Sequence, residues 1–386
     1  MNVLIITPWC DDLELESVKG TPENAYLLEG LLNRGHRIYV ICQGEYKGKE
    51  RKGINMVNVA PYPVLSPAPL NYPLAPMLQS IYNKKLRKIL QDVLDVFSPH
   101  VILNIGGYGH IEILKISKKK RIPYIVKLMG TIEFAKGPRS PIRILQYYRE
   151  FLCFRNKADF YFLVDDGSLP DKVALYHGIK GDRFLLLPNP RPSSELISEQ
   201  RDKDIVSVGY FSRFDKLKGT DFFYKIANNI LKNNKDVRFI IAGDGPYRNF
   251  ILRLKEKYPE RIKYLGFIPH KELLKYYGEI DIIVSTSRYA NATLQVVEGM
   301  NFGVPPVVFD VLGTRKLIED GKTGLLVKPW NVKEFVNKLK ELIENREKRI
   351  ELGHKARDFV RKNIPTWEDR VDMEIRKMEE LVDARG

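Results

Sequence analysis

The stretch that most constrains this chain runs from Ser285 to Gly324, STSRYANATLQVVEGMNFGVPPVVFDVLGTRKLIEDGKTG. Leading into it, Asp281-Ile-Ile-Val-Ser-Thr reads as a short buried strand. Ser287 to Ala292 breaks that strand, Thr293 opens a helix, and Gly303 ends it before Pro305-Pro-Val-Val-Phe begins the next strand. Strand, loop, helix, strand is the repeating unit of an open parallel sheet. Ligands of such sheets gather at the carboxyl ends of strands, where the next helix offers unpaired N–H groups to an anion. Glu298, in the second turn of this helix, is placed to reach a polyol held over the helix start.

With 386 residues, 44% apolar and 29% charged, the chain is long enough for two domains with full cores and has an ordinary globular composition. Its longest apolar runs, Val3-Leu-Ile-Ile and Phe239-Ile-Ile-Ala, are strand length, against roughly 20 residues for a membrane span. Met1 to Trp9 has neither a basic start nor a cleavage site and reads as a first strand, not a signal peptide. Cys10, Cys42 and Cys153 are odd in number and far apart, which fits a reducing cytosol and argues against a disulfide framework or a zinc ribbon. Six scattered histidines, with no His/Cys/Asp cluster at ligand spacing, predict no structural metal.

Of the net charge of +15, residues 51–150 supply +11, with sixteen Lys or Arg against five Asp or Glu. A solvated surface, a dock for anionic lipid headgroups and a nucleic-acid patch are the three readings of such a region. Lys118-Lys-Lys-Arg121 ends a helix, where cations are favoured in any case. No groove-reading motif or stacking platform accompanies the charge, so no nucleic-acid partner is expected.

The first half alternates strands and helices: strands at Val3–Thr7, Arg37–Cys42, Val57–Ala60, His100–Ile105, Tyr124–Leu128, Phe160–Val164 and Phe184–Leu187, with helices at Thr21–Asn33, Met77–Phe97, Ile111–Lys119 and about Pro141–Asn156. This is a doubly wound α/β pattern. Pro61 to Pro76 carries six prolines and is expected to be a surface loop. In the helix that follows, Leu78, Ile81, Tyr82, Leu86, Ile89, Leu90, Val93 and Phe97 keep a 3.6-residue period, with Lys84, Lys85, Arg87 and Lys88 off that face. A sheet-covering helix with a wet basic side accounts for this; a membrane-surface dock through the four cations is compatible with it only if the apolar face lies on the sheet.

Pro188 to Asp204 loses periodicity and reads as a linker. A second α/β series follows, with a strand from Ile205, helix Thr220–Asn233, strand Val237–Ala242, helix Tyr247–Lys257, strand Ile262–Gly266 and helix His270–Tyr277. Arg213 and Lys218 flank the strand-to-helix loop that ends in Gly219. Both can point at an anion on the next helix, and an Arg fork with a Lys point charge suits a diphosphate; a solvated turn would look the same. Gly243-Asp-Gly-Pro is a second strand-to-helix turn, where glycine is common for its backbone freedom alone. With Glu298, these features all fall at strand carboxyl ends of one sheet.

GYFSRFDKLKG, IIAGDGPYR, IKYLGFIPHKEL, STSRYANATLQVVEGMNFGVPPVV and DGKTGLLVKP, in that order over residues 205–330, resemble the signatures of the GT4 group of retaining glycosyltransferases, whose fold is GT-B. KGTPENAYLLEGLLNRGHRIYVI and LPNP extend the likeness into the first half more loosely. The resemblance implies two Rossmann-like domains facing each other across a cleft, a nucleotide sugar on the second and an acceptor on the first. It implies Arg213 and Lys218 as the diphosphate pair, Glu298 as the ribose carboxylate, Gly20 near the phosphates, and Leu265 to Ile268, with Phe267 among them, against the base. Gly243 joins this donor-binding set, and the last helix is expected to return to the first domain.

Two positions depart from the family pattern. Its E-x7-E signature would place a glutamate at 290, where this chain has Ala290, and its His-Gly pair after Tyr124–Leu128 becomes Met129 and Gly130. Each lost group normally binds a sugar hydroxyl, worth about 1.5 to 3 kcal/mol, or roughly one to two decades in rate if felt only in the transition state. Asn291 can supply a neutral hydrogen bond in place of the carboxylate, or simply turn the loop. Glu112 and Glu133 are expected at the surface. His110, after Gly106-Gly-Tyr-Gly109, is either an acceptor contact or solvent-facing.

The expected protein is an α/β, GT-B chain. Residues 1–190, joined by the helix at 365–386, form an acceptor-binding domain, and 191–364 a nucleotide-sugar-binding domain. Its expected activity is metal-independent, retaining transfer of a sugar from a UDP- or GDP-type donor to a hydroxyl of a lipid-linked or polysaccharide glycan. Arg213, Lys218 and Asn291 serve the chemistry, and no cofactor is needed beyond the donor substrate. The protein is placed in the cytoplasm, peripheral at the inner face of the membrane if residues 51–150 dock on anionic lipid. A catalytically weakened nucleotide-sugar binder and another GT-B enzyme such as an epimerase stay open. An NAD enzyme is disfavoured, because no acidic residue ends the strand at Leu128.

Overall fold

The computed structural model describes residues 1–8, 22–43, 53–59, 71–130, 144–145, 147–193, 205–289 and 293–385. Gly20, Pro61 to Leu70, Glu133, Ala290 and Asn291 lie outside the described residues. The chain divides into two units: Met1–Asp165 with Leu169–Leu187 and Glu368–Gly386, and Asp166–Ser168 with Pro188–Trp367. The breaks thus fall at Leu187/Pro188 and Trp367/Glu368, against the expected 190/191 and 364/365.

The first unit holds a seven-stranded sheet of β1 (Asn2–Thr7), β2 (Arg37–Gln43), β3 (Ile54–Val59), β4 (Val101–Ile105), β5 (Tyr124–Leu128), β6 (Phe160–Asp165) and β7 (Phe184–Pro188), in the order β3-β2-β1-β4-β5-β6-β7. The pairs from β3 to β6 are parallel. Strands β4 and β5 are buried at every residue, as a sheet covered on both faces requires, and this includes Asn104 and Lys127. Helices α2 (Asn71–Val96), α3 (His110–Lys120), α4 (Tyr148–Arg155) and α5 (Pro170–Tyr176) share one core, with Tyr82, Leu86, Ile113, Phe154 and Val173 in it. Helix α1 (Glu23–Asn33) and the terminal helix (Trp367–Asp383) share another with β1 and β4. Gly30 allows that pairing, because a Cβ there would sit 2.2 Å from Val371.

Under the terminal helix lies a buried ion network. Lys127 Nζ is 2.8 Å from Glu374, Arg370 Nε is 3.3 Å from the same carboxylate, and Arg370 Nη1 is 2.7 Å from Glu23. Each of the four side chains is at most 2% exposed. Two cations and two carboxylates balance, which is what makes burial of this much charge tolerable.

The proline-rich loop is shorter than expected: α2 begins at Asn71, so Pro73 and Pro76 are helical. Pro73 falls in the first turn, where an N–H has no intrahelical acceptor, and Pro76 costs one helix hydrogen bond. The long sheet-facing apolar stripe after them holds the helix regardless.

The second unit is a six-stranded, wholly parallel sheet of β8 (Val206–Phe211), β9 (Val237–Ala242), β10 (Ile262–Gly266), β11 (Ile282–Ser285), β12 (Pro306–Phe309) and β13 (Leu325–Val327), ordered β10-β9-β8-β11-β12-β13. Helices α6 (Thr220–Asn233), α7 (Arg248–Lys257), α8 (His270–Tyr276), α9 (Leu294–Asn301), α10 (Val332–Glu344) and α11 (Arg346–Asn363) connect and cover it. The direction of winding reverses between β8 and β11. Carboxyl ends at such a reversal leave a crevice, because the helices after the two strands pack on opposite faces.

Candidate active site

The loop from β8 to α6 is locked by its own sequence. Asp215 accepts the Lys218 backbone N–H at 2.8 Å and, through its second oxygen, Arg213 Nε at 2.5 Å. Gly219 then takes a φ of +68°, and a Cβ at that position would stand 1.9 Å from the Thr286 carbonyl oxygen. Only glycine fits so close a backbone crossing. Thr286 Oγ1 answers with contacts of 3.1 and 2.9 Å to the carbonyl oxygens of Lys218 and Gly219. The loops after β8 and β11 are therefore one body, beside the winding reversal.

Two further contacts complete it. Arg288 donates to Leu217 O through its backbone at 2.9 Å and forks onto Asp221 at 2.8 and 2.6 Å. Burial pushes the Asp221 carboxyl up, and the Arg288 guanidinium with the backbone N–H groups of Asp221 and Phe222 more than reverses this, leaving it below its ordinary value. Two amides at the start of α6 thus already serve a side chain. Arg213 is 63% exposed. Lys218 is half-buried, and desolvation pushes its ammonium below the ordinary lysine value, with Asp166 opposing.

Gly243 and Gly245 border the same loop. A Cβ on Gly243 would sit 1.9 Å from Ser212 O, and one on Gly245 2.5 Å from Phe214 O. Their smallness lets the turn after β9 lie against residues 212–214, tied by Phe214 N to Asp244 O at 2.8 Å. At the end of β10, Leu265 is half-buried and Phe267 is 43% exposed.

Glu298, the carboxylate expected to reach a ligand hydroxyl, is enclosed by protein groups. It is 1% exposed, with Oε1 2.5 Å from His270 Nε2 and Oε2 accepting from the Tyr277 hydroxyl at 2.7 Å. Burial and the facing carboxyl push that phenol well above its ordinary value. Sequence reasoning passed over Asp215, Arg288, His270 and Tyr277. The first is signalled by RFDKLKG, an Asp three residues before a loop N–H; the others act across distances that no local pattern reveals.

Two expectations in the first unit are corrected. His110 is neither at an acceptor nor at solvent: it is 1% exposed, with Nε2 against Asn156 O at 2.5 Å and Nδ1 against the Tyr124 hydroxyl at 2.9 Å. Burial holds its pKa down at about 4. Glu112, expected at the surface, is 5% exposed and holds Arg87 through both oxygens at 2.6 and 2.8 Å. Met129 follows β5, half-buried. Among the described residues no group of three His, Cys, Asp or Glu is gathered as a metal site.

Arg213 and Lys218 lie on a locked loop beside the winding reversal of a parallel sheet, and the chain has the GT-B fold. It superimposes on sucrose-phosphate synthase from Thermosynechococcus elongatus with a TM-score of 0.75, at 16% identity and 99% coverage of both chains. On Anabaena HepE, crystallised with UDP and glucose, the TM-score is 0.67 at 16% identity, covering 98% of this chain and 99% of that one. Residues 194–359 match the glycosyl transferases group 1 family. A relative, the alpha-D-kanosaminyltransferase of Streptomyces kanamyceticus, is 30% identical over 39% of this chain; the chain spans that same 39% of the relative's length. A second, the poly(ribitol-phosphate) alpha-N-acetylglucosaminyltransferase of Staphylococcus aureus, is 31% identical over 40% of this chain and 31% of its own length.

Proposed function

We propose that this chain is a retaining glycosyltransferase of the GT4 group that moves a sugar from a UDP- or GDP-type donor to a hydroxyl of a lipid-linked or polysaccharide glycan. The observation that carries this is the loop locked by Gly219, which sets Arg213 and Lys218 beside the β8/β11 reversal. A guanidinium and an ammonium there meet the charge that grows on a departing diphosphate, and being already placed they need no reorganisation as it grows. The acceptor hydroxyl gives its proton to the leaving phosphate on the same face of the sugar, so the protein supplies no nucleophile. Leu265 and Phe267 flank the base, Gly20 lies near the phosphates, and Asn291 supplies the sugar contact that Ala290 lacks. Glu298 reaches the ribose only through the lone pairs that His270 and Tyr277 leave unused. The UDP bound to HepE puts UDP first among donors to test. We place the reaction in the cytoplasm, without a metal.

A second reading is a nucleotide-sugar binder of weakened catalysis, favoured by Ala290 and Met129. Thermal stabilisation by a panel of nucleoside diphosphates and their sugars tests the shared foundation. A ligand at 100 times its Kd adds about 2.7 kcal/mol, and Arg213→Ala with Lys218→Ala should abolish the shift. Stabilisation of neither protein by any nucleotide would remove both readings. Diphosphate release that needs an acceptor then separates a transferase from a binder, which releases none, and from an epimerase, which needs no acceptor.

A further inference from the structure

We propose that the outward face of α2 from Met77 to Lys88 is a docking surface for a bilayer containing anionic lipid. The surface belongs to the first unit alone and does not depend on transferase activity; it deepens that reading by setting the acceptor at a membrane.

Helix α2 has two unlike faces. Leu78, Tyr82, Leu86, Leu90 and Val93 are buried on the sheet, which is the condition a dock requires. On the opposite side Met77, Ile81, Lys84 and Lys88 follow one another at spacings of three and four and form one outward stripe, with Lys85 beside it. Met77 is 49% and Ile81 40% exposed, an apolar pair directly ahead of the lysines. Arg87 is not part of this surface, because Glu112 holds it against α3. Lys84, Lys85 and Lys88 make no ion pair among the described residues.

The position of the stripe gives it a direction. Leu86 and Arg87 meet the very start of α3: a Cβ on Gly109 would lie 2.1 Å from Leu86, and Glu112 is in the first turn. Tyr82 takes a hydrogen bond of 3.0 Å from Gln43, the last residue of β2. The turns of α2 before Tyr82 therefore run past the carboxyl ends of the strands, by about 15 Å at 1.5 Å per residue. Met77 and Ile81 stand on the rim where ligands of such a sheet bind, and the lysines sit just behind them. Exposed Asp92 and Asp95 reverse the sign towards the other end of the helix. The arrangement suits an interface in which two apolar side chains enter among the headgroups and lysine stems keep their ammonium groups at lipid phosphate. A polyanion such as RNA would use the lysines but gain nothing from Met77 and Ile81, and no aromatic lies on the stripe for bases to stack on.

Flotation of the full chain with vesicles of phosphatidylcholine, with and without phosphatidylglycerol, tests this. Wild type should float only with the anionic vesicles and detach as salt rises. Replacing Lys84, Lys85 and Lys88 by Gln should weaken partitioning roughly 100-fold, at about fivefold per lysine. Replacing Lys118, Lys119 and Lys120 by Gln removes the same charge from the far end of α3 and should cost about threefold or less, since the attraction fades within a Debye length. Met77→Ser with Ile81→Ser should bind more weakly while keeping the salt dependence. Equal losses from the two lysine trios would overturn an oriented surface. Wild type that does not float, or that holds a single-stranded RNA without floating, would overturn the membrane itself. Nucleotide-induced stabilisation of the same variants should stay at the wild-type level, so failure here and failure of the transferase reading are told apart.

Discussion

Glu298 and His270 meet with Oε1 2.5 Å from Nε2, and Tyr277 closes on the other carboxyl oxygen at 2.7 Å. His270 opens α8 after β10 and Glu298 lies in α9 after β11, so one buried carboxyl joins two helices on the ligand side of the sheet. Removing it strips a shared acceptor from two buried donors. Glu298→Ala should therefore lower unfolding free energy by about 2–4 kcal/mol, and Tyr277→Phe by about 1 kcal/mol. Denaturant titration measures both, and a loss below about 0.5 kcal/mol for Glu298→Ala would mean the pair holds nothing together.

Gly219→Ala asks a side chain to adopt a φ of +68° with its Cβ 1.9 Å from Thr286 O. The backbone strain is about 1–2 kcal/mol, and the clash adds a similar amount. Because the displaced loop carries Arg213 and Lys218, nucleotide affinity should fall at least about tenfold along with the unfolding midpoint. A variant that melts lower but binds UDP and GDP as wild type does would separate the loop from the site.

Desolvation holds the Lys218 ammonium below its ordinary value, and a bound diphosphate would draw it back up. The cation is lost as pH rises through the depressed value, so nucleotide affinity should decline at a pH below the ordinary lysine value of about 10.4. Lys218→Arg keeps its charge over that range and should flatten the decline, at the cost of a poorer fit. Calorimetric titration across alkaline pH reads this, and parallel curves for the two proteins would rule Lys218 out as the titrating group.

His110 is buried with a pKa of about 4, against an unfolded value of 6.5. The unfolded chain takes up a proton near 6.5 that the folded one refuses until about 4, so this group's contribution to stability falls as pH drops through that window. The slope is about 1.4 kcal/mol per pH unit for one proton. Thermal melts between these limits should be steeper in wild type than in His110→Gln; equal slopes would place the acid sensitivity elsewhere.

Breaking the buried network at Lys127 or Glu374 leaves a charge without its partner in a site at most 2% exposed. Either change to Ala should cost about 3–5 kcal/mol, whereas Lys127→Met with Glu374→Leu should cost far less, because it removes both desolvation penalties together. Denaturant unfolding of the three variants decides between this and independent, additive losses.

Much of the fold could be read from local pattern. Helix α6 runs over Thr220–Asn233, the limits its 3.6-residue period and Gly219 predict, and β5 and β9 occupy their predicted spans. The start of α2 could not be read so, because the prolines argue locally for a loop while packing of Leu78, Tyr82 and Leu86 on the sheet sustains the helix. His110 and Glu112 misled for a related reason: polar side chains near a strand end look open until Tyr124, Asn156 and Arg87 are brought to them from other elements.

The sequence by itself determined the two α/β series, the residues that flank the β8-to-α6 loop and the family they resemble, because periodicity, turn glycines and motif order are properties of neighbours along the chain. Tertiary structure alone decided what those residues face. That Gly219 must be glycine depends on Thr286, that Glu298 is enclosed depends on His270 and Tyr277, and that Lys127 can be buried depends on Glu374, 247 residues away. Charge compensation and steric fit are set by distances in space, which the order of residues specifies only once the whole sheet has formed.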